Sequence, residues 1–455
     1  MNANESIAAI GAASSTLHGF ADLRALQHSA SLKLIKGGRG VWVYDEAGRP
    51  LLEAASGMWC ASLGFGDPEL VEAAIEQFKT LPYYHTLGGK SVVPSEVLSE
   101  RLLAKSPISK GKVYFACTGS EGNDFLVKFV RFANNAAGLP KKKKFISRTN
   151  GYHGATLAAS SLTGIAGNHK GFDLPLPGFL HTADPHYYRN ALPGESEDDF
   201  CQRMVRELRT LIESEGPETI AGFLAEPVGG AGGVVIPPSG YYNRVQELLQ
   251  GFGIPFFSDE VITGVGRLGD WFGSDTMGIK PRAIVMGKGL TSAYFPLSAV
   301  ILEQELVDRI TEGSDRNGHY FAHGATYAGH PVGCAIALAV LDIIERRNIL
   351  DHVKRMAEVF KRRLLALQEH PLVGHARCVG LVGAVELRPA PGSAGDPGGE
   401  LVKKVHAIAE NRYGLIFRKL ANNVCAFSPP LVITEEEVNE LFDRFTAALD
   451  SAMAS

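Results

Sequence analysis

Short apolar runs alternate with amphipathic segments through the middle of the chain. From Lys112 the sequence runs through the strand-like KVYFACT, a Gly-Ser turn, the helical EGNDFLVKFVRFANNA and the strand-like KFISRT. The alternation returns in AGFLAEPV, YYNRVQELLQGFG, IPFFSDEVI and AIVMGKGL. Strands that alternate with helices need crossover connections, which favour a mostly parallel sheet covered on both faces. The pattern predicts an α/β fold whose ligands bind in loops at the carboxyl ends of the strands.

The two ends of the chain carry shorter apolar segments. Residues 40–59 alternate around a turn at Glu46 to Arg49, which predicts a hairpin. Helices are predicted in DPELVEAAIEQFKTL, with Asp67 as N-cap, and in PSEVLSERLLAKS. After about residue 330, two helical segments lead to the short strands LVGAVELR and VCAFSPP, and PAPGSAGDPGGE is predicted as a flexible loop. We expect the tail strands to pair with the hairpin in a second lobe.

Composition narrows the possible functions. The 455 residues carry 45 Lys+Arg against 49 Asp+Glu, a formal charge of −4, which gives no signature of nucleic-acid binding. The six cysteines form no CxxC pair, which argues against a disulfide framework or a zinc ribbon and favours a reducing, cytoplasmic setting. His323 and His330 alone are a weak metal signal. No signal peptide or membrane span is recognised, so we expect a protein without membrane contact.

Two charged residues stand in apolar surroundings where a core alone would not place them. Asp259 lies in IPFFSDEVIT, and Lys288 lies between glycines after AIVM. Burying an unpaired carboxylate or ammonium is costly, so such groups usually have a partner or a chemical role. Pyridoxal phosphate (PLP) needs a lysine that forms a Schiff base with its aldehyde and a carboxylate that keeps its ring nitrogen protonated. Singly, the two residues also fit an edge-strand aspartate and a solvated lysine, but the pair favours PLP.

Further candidate residues lie beside or after the strands. Val261 shares a strand face with Asp259 and could press on the cofactor ring. Gly119 and Ser120 open a helix after KVYFACT, where free N–H groups and the helix dipole favour a phosphate, although an ordinary N-cap turn also fits. Tyr152 and His153 follow the next strand, so an aromatic ring could stack on the cofactor or simply pack.

These motifs resemble the class III PLP-dependent aminotransferases of fold type I, and among them the ω-transaminases that use pyruvate as amino acceptor. The resemblance runs from about Gly40 to the C-terminal strand, through SDEVITGVGRLG, MGKGLTSAYFPL, TGSEGND, NGYHG, AEPVGGAGG and HGATYAGHPVG. It implies a large PLP-binding domain at 61–330 with a mostly parallel sheet of the seven-stranded type. A smaller α+β domain would combine residues 1–60 and 331–455.

By position, the resemblance implies roles for individual residues. Lys288 is implied as the Schiff-base and proton-moving lysine, and Asp259 as the partner of the ring nitrogen. Thr326 is implied to reach the phosphate in a neighbouring subunit, so a homodimer with shared active sites is expected and a tetramer is left open. The other implied cofactor contacts are Gly119, Ser120, Tyr152, His153, Glu226 and Val261.

The resemblance also implies an aromatic substrate pocket and a mobile arginine. Arg418 stands where that arginine clamps a substrate carboxylate, and its planar fork suits this group. Swinging it out would let the same pocket take an amine without a carboxylate. Leu87 stands where an aromatic residue is common and Ala231 is small, which implies a roomier pocket. The remaining implied substrate contacts are Phe20, Trp59 and Tyr152.

The implied reaction is a ping-pong transfer of an amino group from a primary amine, such as an aryl or alkyl amine, a polyamine or an ω-amino acid, to pyruvate. The products would be alanine and a ketone or aldehyde. Aminotransferases of the 4-aminobutyrate or ornithine type that use 2-oxoglutarate, another PLP reaction, and an NAD-dependent oxidoreductase remain alternatives. The last rests on the GxGxxG pattern from Gly264 to Gly269, which leads into DWFG rather than into a helical segment.

Overall fold

The computed structural model describes residues 16–24, 32–313, 320–388 and 399–454. Its strands are β1 Ile35–Arg39, β2 Trp42–Asp45, β3 Pro50–Glu53, β4 Gly111–Ala116, β5 Lys144–Arg148, β6 Phe179–Thr182, β7 Ile220–Ala225, β8 Phe256–Asp259, β9 Ala283–Met286, β10 Ser298–Glu303, β11 Val373–Val379, β12 Val382–Leu387, β13 Leu415–Ile416, β14 Arg418–Leu420 and β15 Val424–Phe427.

Its helices are a distorted turn at Ser56–Trp59 and the segments Pro68–Thr80, Val93–Lys105, Gly119–Ala136, Leu157–Leu162, Tyr187–Asn190, Glu197–Glu215, Tyr241–Gly251, Gly273–Met277, Gln304–Thr311, Pro331–Arg346, Ile349–Ala366, Glu400–Tyr413 and Glu435–Ala454. Short 3-10 turns lie at Ala166–Asn168, Pro217–Thr219, Lys288–Thr291 and Leu367–Glu369.

A large sheet with the order β4-β10-β9-β8-β7-β5-β6 occupies the centre of the described chain. β10 runs antiparallel to both of its neighbours, β4 and β9, and the other neighbouring pairs are parallel. The carboxyl ends of β4, β5, β7, β8 and β9 therefore lie along one edge of the sheet. This arrangement confirms the predicted α/β class and brings together loops that are far apart in sequence.

Helices cover both faces of this sheet, as parallel strands require. Phe223 and Leu224 are neighbours on β7 and point to opposite faces. Phe223 belongs to an apolar cluster with residues of Glu197–Glu215 and Tyr241–Gly251, and Leu224 to a cluster with residues of Gly119–Ala136. Because both faces are buried, β7 is apolar at every position instead of alternating.

Two smaller sheets flank the central one. The first has the order β1-β2-β3-β13, and its last strand, Leu415–Ile416, joins the N-terminal strands in parallel with β3. The second has the order β11-β12-β15-β14 and is built from the C-terminal part of the chain. The prediction that the tail strands LVGAVELR and VCAFSPP pair with the hairpin is therefore wrong: these strands, β12 and β15, pair with each other, and the unpredicted strand β13 joins the hairpin. The domain boundaries at residues 60 and 330 stay a prediction.

Several sequence predictions are confirmed at the level of single elements. β2 and β3 form the predicted hairpin, and Asp67 caps Pro68–Thr80 by accepting from the Glu69 N–H at 3.0 Å. Glu197–Glu215, β6 and β10 were not predicted. The predicted Pro/Gly loop lies largely outside the described residues, because residues 389–398 fall in a gap. Within the described ranges, no helix is long and apolar enough to cross a lipid bilayer.

Two further sequence signals have structural explanations. The GxGxxG stretch from Gly264 to Gly269 forms turns and does not open a helix. His330 caps Pro331–Arg346 by accepting from the Val332 N–H at 3.3 Å, whereas the Nδ1 of His323 lies 2.9 Å from the Nζ of Lys128. Among the described residues, His, Cys, Asp and Glu side chains form no group of three that could hold a metal ion.

Candidate active site

Asp259 is the last residue of β8 and is only 3% exposed. Its Oδ2 accepts from the Nδ2 of Asn123 at 2.9 Å and lies 2.8 Å from the Nδ1 of His153, and its Oδ1 accepts from the Val261 N–H at 3.1 Å. These bonds offset the cost of burying a carboxylate. Asn123 was missed by sequence reasoning, because an asparagine inside a helix gives no sign that it contacts a residue 136 positions later.

Lys288 follows β9 in a strained backbone conformation. Its φ of 43° lies in the left-handed region, which side chains with a Cβ rarely adopt. Its Nζ has no hydrogen-bond partner among the described residues, and burial lowers the pKa of this amine below its ordinary value. The structure therefore presents an unpaired amine that loses its proton more readily than a solvated lysine does.

The helix Gly119–Ala136 begins where β4 ends. Its cap residue, Thr118, accepts from the Glu121 N–H at 3.2 Å, and Ser120 Oγ accepts from the Ala155 N–H at 3.0 Å. The N–H groups of Gly119 and Ser120 make no hydrogen bond within the described chain and remain available to an anion. A Cβ on Gly119 would stand 2.6 Å from Cγ2 of Val261, so glycine is required for this close approach.

Glu226 follows β7 and is buried with its own hydrogen bonds. Its Oε1 accepts from the Tyr152 N–H at 3.0 Å, and its Oε2 accepts from the Gly230 N–H at 2.8 Å. Burial raises the pKa of Glu226 above its ordinary value. The carboxyl group thereby fixes the main chain of two loops, one that carries Tyr152 and one that carries Ala231.

A cavity of about 640 Å³ opens among these loops. Of the residues predicted from sequence, those that line it are Phe20, Trp59, Gly119, Ser120, Tyr152, His153, Glu226, Ala231, Asp259, Val261, Lys288 and Arg418. Met58, Thr118, Ile165, Ile262 and Phe295 also line it and were missed. The wall is largely apolar, and the charged groups are few.

Leu87 and Thr326 do not line this cavity. Leu87 is 41% exposed, and its Cδ2 would be 2.4 Å from a Cβ on Gly324. Thr326 is exposed, and its carbonyl oxygen accepts from the Tyr83 hydroxyl at 2.8 Å. The two residues belong to neighbouring surface segments of this chain.

Trp59 reaches the cavity from a strained turn. Ser56, Gly57 and Trp59 all have positive φ values, of 47°, 67° and 65°. The buried carboxyl of Glu53 accepts from the N–H groups of Ala55 and Gly57, and burial raises the pKa of Glu53 to about 7. The supporting hydrogen bonds explain how a buried tryptophan is held in a left-handed conformation.

Arg418 lies at the start of β14 and is partly buried. Its Nε is buried without a hydrogen-bond partner among the described residues, and it forms no ion pair with them. Burial lowers the pKa of this guanidinium, which still remains cationic at neutral pH. An unpaired, partly desolvated arginine at a cavity wall is suited to bind a carboxylate.

The residues present fit PLP, the cofactor expected from the sequence. A buried carboxylate, an unpaired lysine amine, free N–H groups at a helix N-terminus and an apolar contact from Val261 line one cavity. When bound, this cofactor supplies an aldehyde that reacts with amines and a protonated ring that accepts electrons from the substrate. Asp259 would hold the ring nitrogen, Gly119 and Ser120 the phosphate, and Lys288 the aldehyde.

Comparison with known proteins identifies the family of the chain. The family model "Aminotransferase class-III" matches residues 25–449. Gamma-aminobutyrate transaminase 1, mitochondrial, from Oryza sativa subsp. japonica is 44% identical over 424 residues, which cover 91% of this chain and 81% of the relative.

Solved structures are similar over nearly the full length. The omega transaminase from Pseudomonas jessenii in complex with PMP has a TM-score of 0.93 and 44% identity, covering 96% of each chain. A PMP-bound aminotransferase from Vibrio fluvialis has a TM-score of 0.92 and 38% identity, covering 97% of each chain. The chain therefore belongs to the class III aminotransferases, has their fold type I architecture, and uses pyridoxal phosphate as its cofactor.

Proposed function

We propose that this aminotransferase moves the amino group of a primary amine to pyruvate, with Lys288 as the catalytic base and Arg418 as the carboxylate-binding group. The observation that carries the proposal is the unpaired guanidinium of Arg418 in a largely apolar cavity. Such a wall accepts aryl or alkyl groups, while one arginine accepts one carboxylate. A pocket of this kind suits both an amine without a carboxylate and a small keto acid.

The cavity residues have two kinds of role, proton transfer and binding of the cofactor. Lys288 Nζ takes the proton from the carbon that bears the amino group and returns it later, and its lowered pKa favours the neutral amine that can accept a proton. Asp259, fixed by Asn123 and His153, stabilises the positive charge on the ring nitrogen. Tyr152 and Val261, which line the same cavity, would contact the ring and orient it.

Pyruvate has one carboxylate and 2-oxoglutarate has two, so the number of arginines in the cavity favours pyruvate. Among the described residues that line the cavity, Arg418 is the one arginine, and a second carboxylate finds no second guanidinium there. Lys419 also lines the cavity but is exposed to solvent, which weakens its attraction for a second carboxylate. One similar solved structure is a transaminase with L-alanine, the product that pyruvate would give, which also supports this proposal.

A second candidate is transfer from 4-aminobutyrate, favoured by the names of the curated relatives, which are gamma-aminobutyrate transaminases. The carboxylate of this substrate could also bind Arg418. Parallel assays decide between the two: 1-phenylethylamine or 4-aminobutyrate as donor, each with pyruvate or 2-oxoglutarate, with formation of alanine or glutamate as the readout. We expect the highest kcat/KM for 1-phenylethylamine with pyruvate, and a preference for 4-aminobutyrate with 2-oxoglutarate would overturn the proposal.

Replacing Arg418 with methionine is expected to raise the KM for pyruvate about 10- to 100-fold, because charge-assisted hydrogen bonds contribute roughly 1.5–3 kcal/mol and about 1.4 kcal/mol is tenfold. The half-reaction with 1-phenylethylamine, which has no carboxylate, should change little. Arg209→Met, on the exposed side of Glu197–Glu215, is the control. An unchanged KM for pyruvate in Arg418→Met would exclude the proposed role.

Replacing Gly119 with alanine is expected to weaken cofactor binding about tenfold or more, because the added Cβ would stand 2.6 Å from Val261 beside the phosphate-binding N–H groups. Titration of the stripped protein with PLP, followed by the visible absorption of the bound cofactor, measures the affinity. Gly251→Ala is the matched control, since a Cβ there meets no atom within 4 Å. Equal affinities for both variants would argue against Gly119 as a phosphate contact.

We further propose a homodimer in which Leu87 and Thr326 complete the partner's active site. Val71, Ile75 and Phe78 form an exposed apolar face on Pro68–Thr80, at the spacing of one helical stripe. Exposed apolar patches of this kind commonly mark protein interfaces. The two surface segments that carry Leu87 and Thr326 contain the exposed aromatic residues Tyr84 and Tyr327.

Replacing Ile75 with glutamate is expected to convert a dimer of twice 48.8 kDa into monomers and to reduce activity with it. An unpaired charge buried at the centre of an interface costs several kcal/mol. This cost is comparable to the binding free energy lost when a hot-spot residue of an interface is removed. Light scattering coupled to size-exclusion chromatography measures the mass. Leu365→Glu, at another exposed leucine, is the control. A monomeric wild type, or a dimer unaffected by Ile75→Glu, would contradict the proposal.

A cytoplasmic location is also proposed. All six cysteines are free, and Cys201, Cys334 and Cys425 are buried. Unpaired thiols are typical of a reducing compartment. Fractionation of the native host with antibody detection tests it, and recovery of the protein in an organelle or outside the cell would refute it.

A further inference from the structure

A buried ionic cluster lies beside the active-site cavity. At its centre is Glu386 on β12, which is 8% exposed. Its carboxylate pairs with the guanidinium of Arg189 at 2.7 Å and with that of Arg377 at 3.3 Å, and it lies 3.7 Å from the Nε2 of His186. Two arginines from different parts of the chain thus share one carboxylate.

Each arginine also holds the main chain of a loop at the cavity. Arg377 Nε donates to the carbonyl oxygens of Gly233 at 3.1 Å and Val234 at 3.0 Å, in the loop that carries Ala231. Arg189 Nη2 donates to the carbonyl oxygen of Asn422 at 2.8 Å. Asn422 directly follows residues 418–421, all of which line the cavity.

The cluster is ionised and rigid at neutral pH. Burial raises the pKa of Glu386, but the close guanidinium of Arg189, with the charge of Arg377 and the nearby His186, outweighs it and brings the pKa to about 2. Burial and the charge of Arg377 lower the pKa of His375 to about 4, so its neutral Nδ1 accepts from Arg377 Nη1 at 3.0 Å. The ring of His375 stacks on Tyr188 with 4.4 Å between centroids. Arg189 Nε and His186 Nε2 are buried without a hydrogen-bond partner among the described residues, so the two ion pairs of Glu386 are the contacts that hold the arginines in place.

We propose that Glu386 is a positioning residue for substrate recognition, which holds the Arg418 loop through Arg189 and the Ala231 loop through Arg377. The inference rests on the proposed function, in which Arg418 binds the carboxylate of the keto acid. Glu386 touches neither substrate nor cofactor. Its effect is to hold in place the main chain of two segments that line the cavity.

The ion pair of Glu386 with Arg189 (the Arg189 arm) and its ion pair with Arg377 (the Arg377 arm) have different consequences for specificity. Loss of the Arg189 arm frees the main chain after residue 421, so carboxylate binding by Arg418 weakens. Loss of the Arg377 arm frees the loop at Gly233 and Val234, so the wall at Ala231 shifts and the selection between large and small amines changes. Loss of Glu386 affects both.

The experiment compares Glu386→Gln, Arg189→Met and Arg377→Met in the PLP-loaded enzyme. It measures KM and kcat for pyruvate, for 1-phenylethylamine and for isopropylamine, together with the Kd of the unreactive carboxylate propionate by calorimetry. Glu386→Gln and Arg189→Met are expected to raise the KM for pyruvate and the Kd of propionate about tenfold. A loss of affinity of this size is expected when one charge-assisted hydrogen bond to the carboxylate is misaligned. Saturating kcat should stay close to that of the wild type. Arg377→Met is expected instead to change the ratio of kcat/KM between the two amines.

The matched control is Glu195→Gln. Glu195 pairs with Arg203 at 2.8 Å in a similarly sheltered ion pair, but neither residue lines the cavity. The inference is overturned if Glu386→Gln behaves like Glu195→Gln, or if it lowers kcat for every substrate equally without changing KM. If Glu386→Gln does not fold, the different effects of the two arginine variants decide, and equal effects overturn the inference. If the wild type does not use pyruvate, the proposed acceptor is wrong, while the Kd of propionate still tests the Glu386 arm.

Discussion

Replacing Lys288 with alanine is expected to reduce turnover by about 10²–10⁴-fold while the protein keeps its fold and oligomeric state. Lys288 Nζ is an unpaired amine in the cavity, and burial lowers its pKa below the ordinary value of a lysine. The substitution removes no hydrogen bond within the described chain and relieves no clash. Stability should therefore change little, and the loss should be confined to chemistry.

The measurement is turnover by Lys288→Ala with amine and pyruvate, alongside its melting temperature and its mass in solution. Lys280→Ala is the control, because Lys280 is an exposed lysine in the loop that precedes β9, whereas Lys288 follows this strand. Wild-type turnover by Lys288→Ala would show that the catalytic lysine is misassigned. Aggregation of the variant would show instead that Lys288 has a structural role.

Replacing Asp259 with asparagine is expected to slow turnover about 10²–10³-fold, the usual loss when one preorganised electrostatic group is removed from a reacting centre. The amide has almost the same size, so the cavity keeps its shape. It carries no negative charge to stabilise a protonated ring nitrogen, and its NH₂ group would compete with the donors Asn123 and His153. Removal of the substrate proton should therefore become rate-limiting.

The isotope effect distinguishes this cause from general damage. With an amine deuterated at the carbon that bears nitrogen, kcat of Asp259→Asn should show a larger primary isotope effect than that of the wild type. Asp184→Asn is the control, since Asp184 is also buried and accepts from the Nδ2 of Asn150 at 2.9 Å but does not line the cavity. Unchanged rates in Asp259→Asn would remove this residue from the reaction.

The α/β class and the position of the cavity could be predicted from the sequence for a simple physical reason. Charges in apolar runs are costly to bury, so Asp259 and Lys288 stand out in the sequence alone. Both follow short apolar strands, and the carboxyl ends of parallel strands meet along one edge. Geometry then brings the residues after β4, β5, β7, β8 and β9 to one cavity.

Other parts of the site gave no local signal. Asn123 contacts Asp259 from a helix, and Arg267, in the turn that matches the dinucleotide pattern, is fully buried and donates to the carbonyl oxygens of Leu381 and Pro429. Glu386 likewise meets Arg189 across almost 200 residues of sequence. Such contacts depend on tertiary packing, which hydrophobic periodicity does not encode. The sequence also could not show whether Leu87 lines the cavity of its own chain or lies on the surface, where the structure places it.

The absorption spectrum of the purified, PLP-loaded protein tests the central claim most directly. The account predicts a visible band that disappears when 1-phenylethylamine is added without a keto acid and returns when pyruvate follows, because the same cavity accepts first the amine and then the carboxylate at Arg418. A band that does not respond to this amine, or one that returns with 2-oxoglutarate and not with pyruvate, would contradict the proposed donor and acceptor.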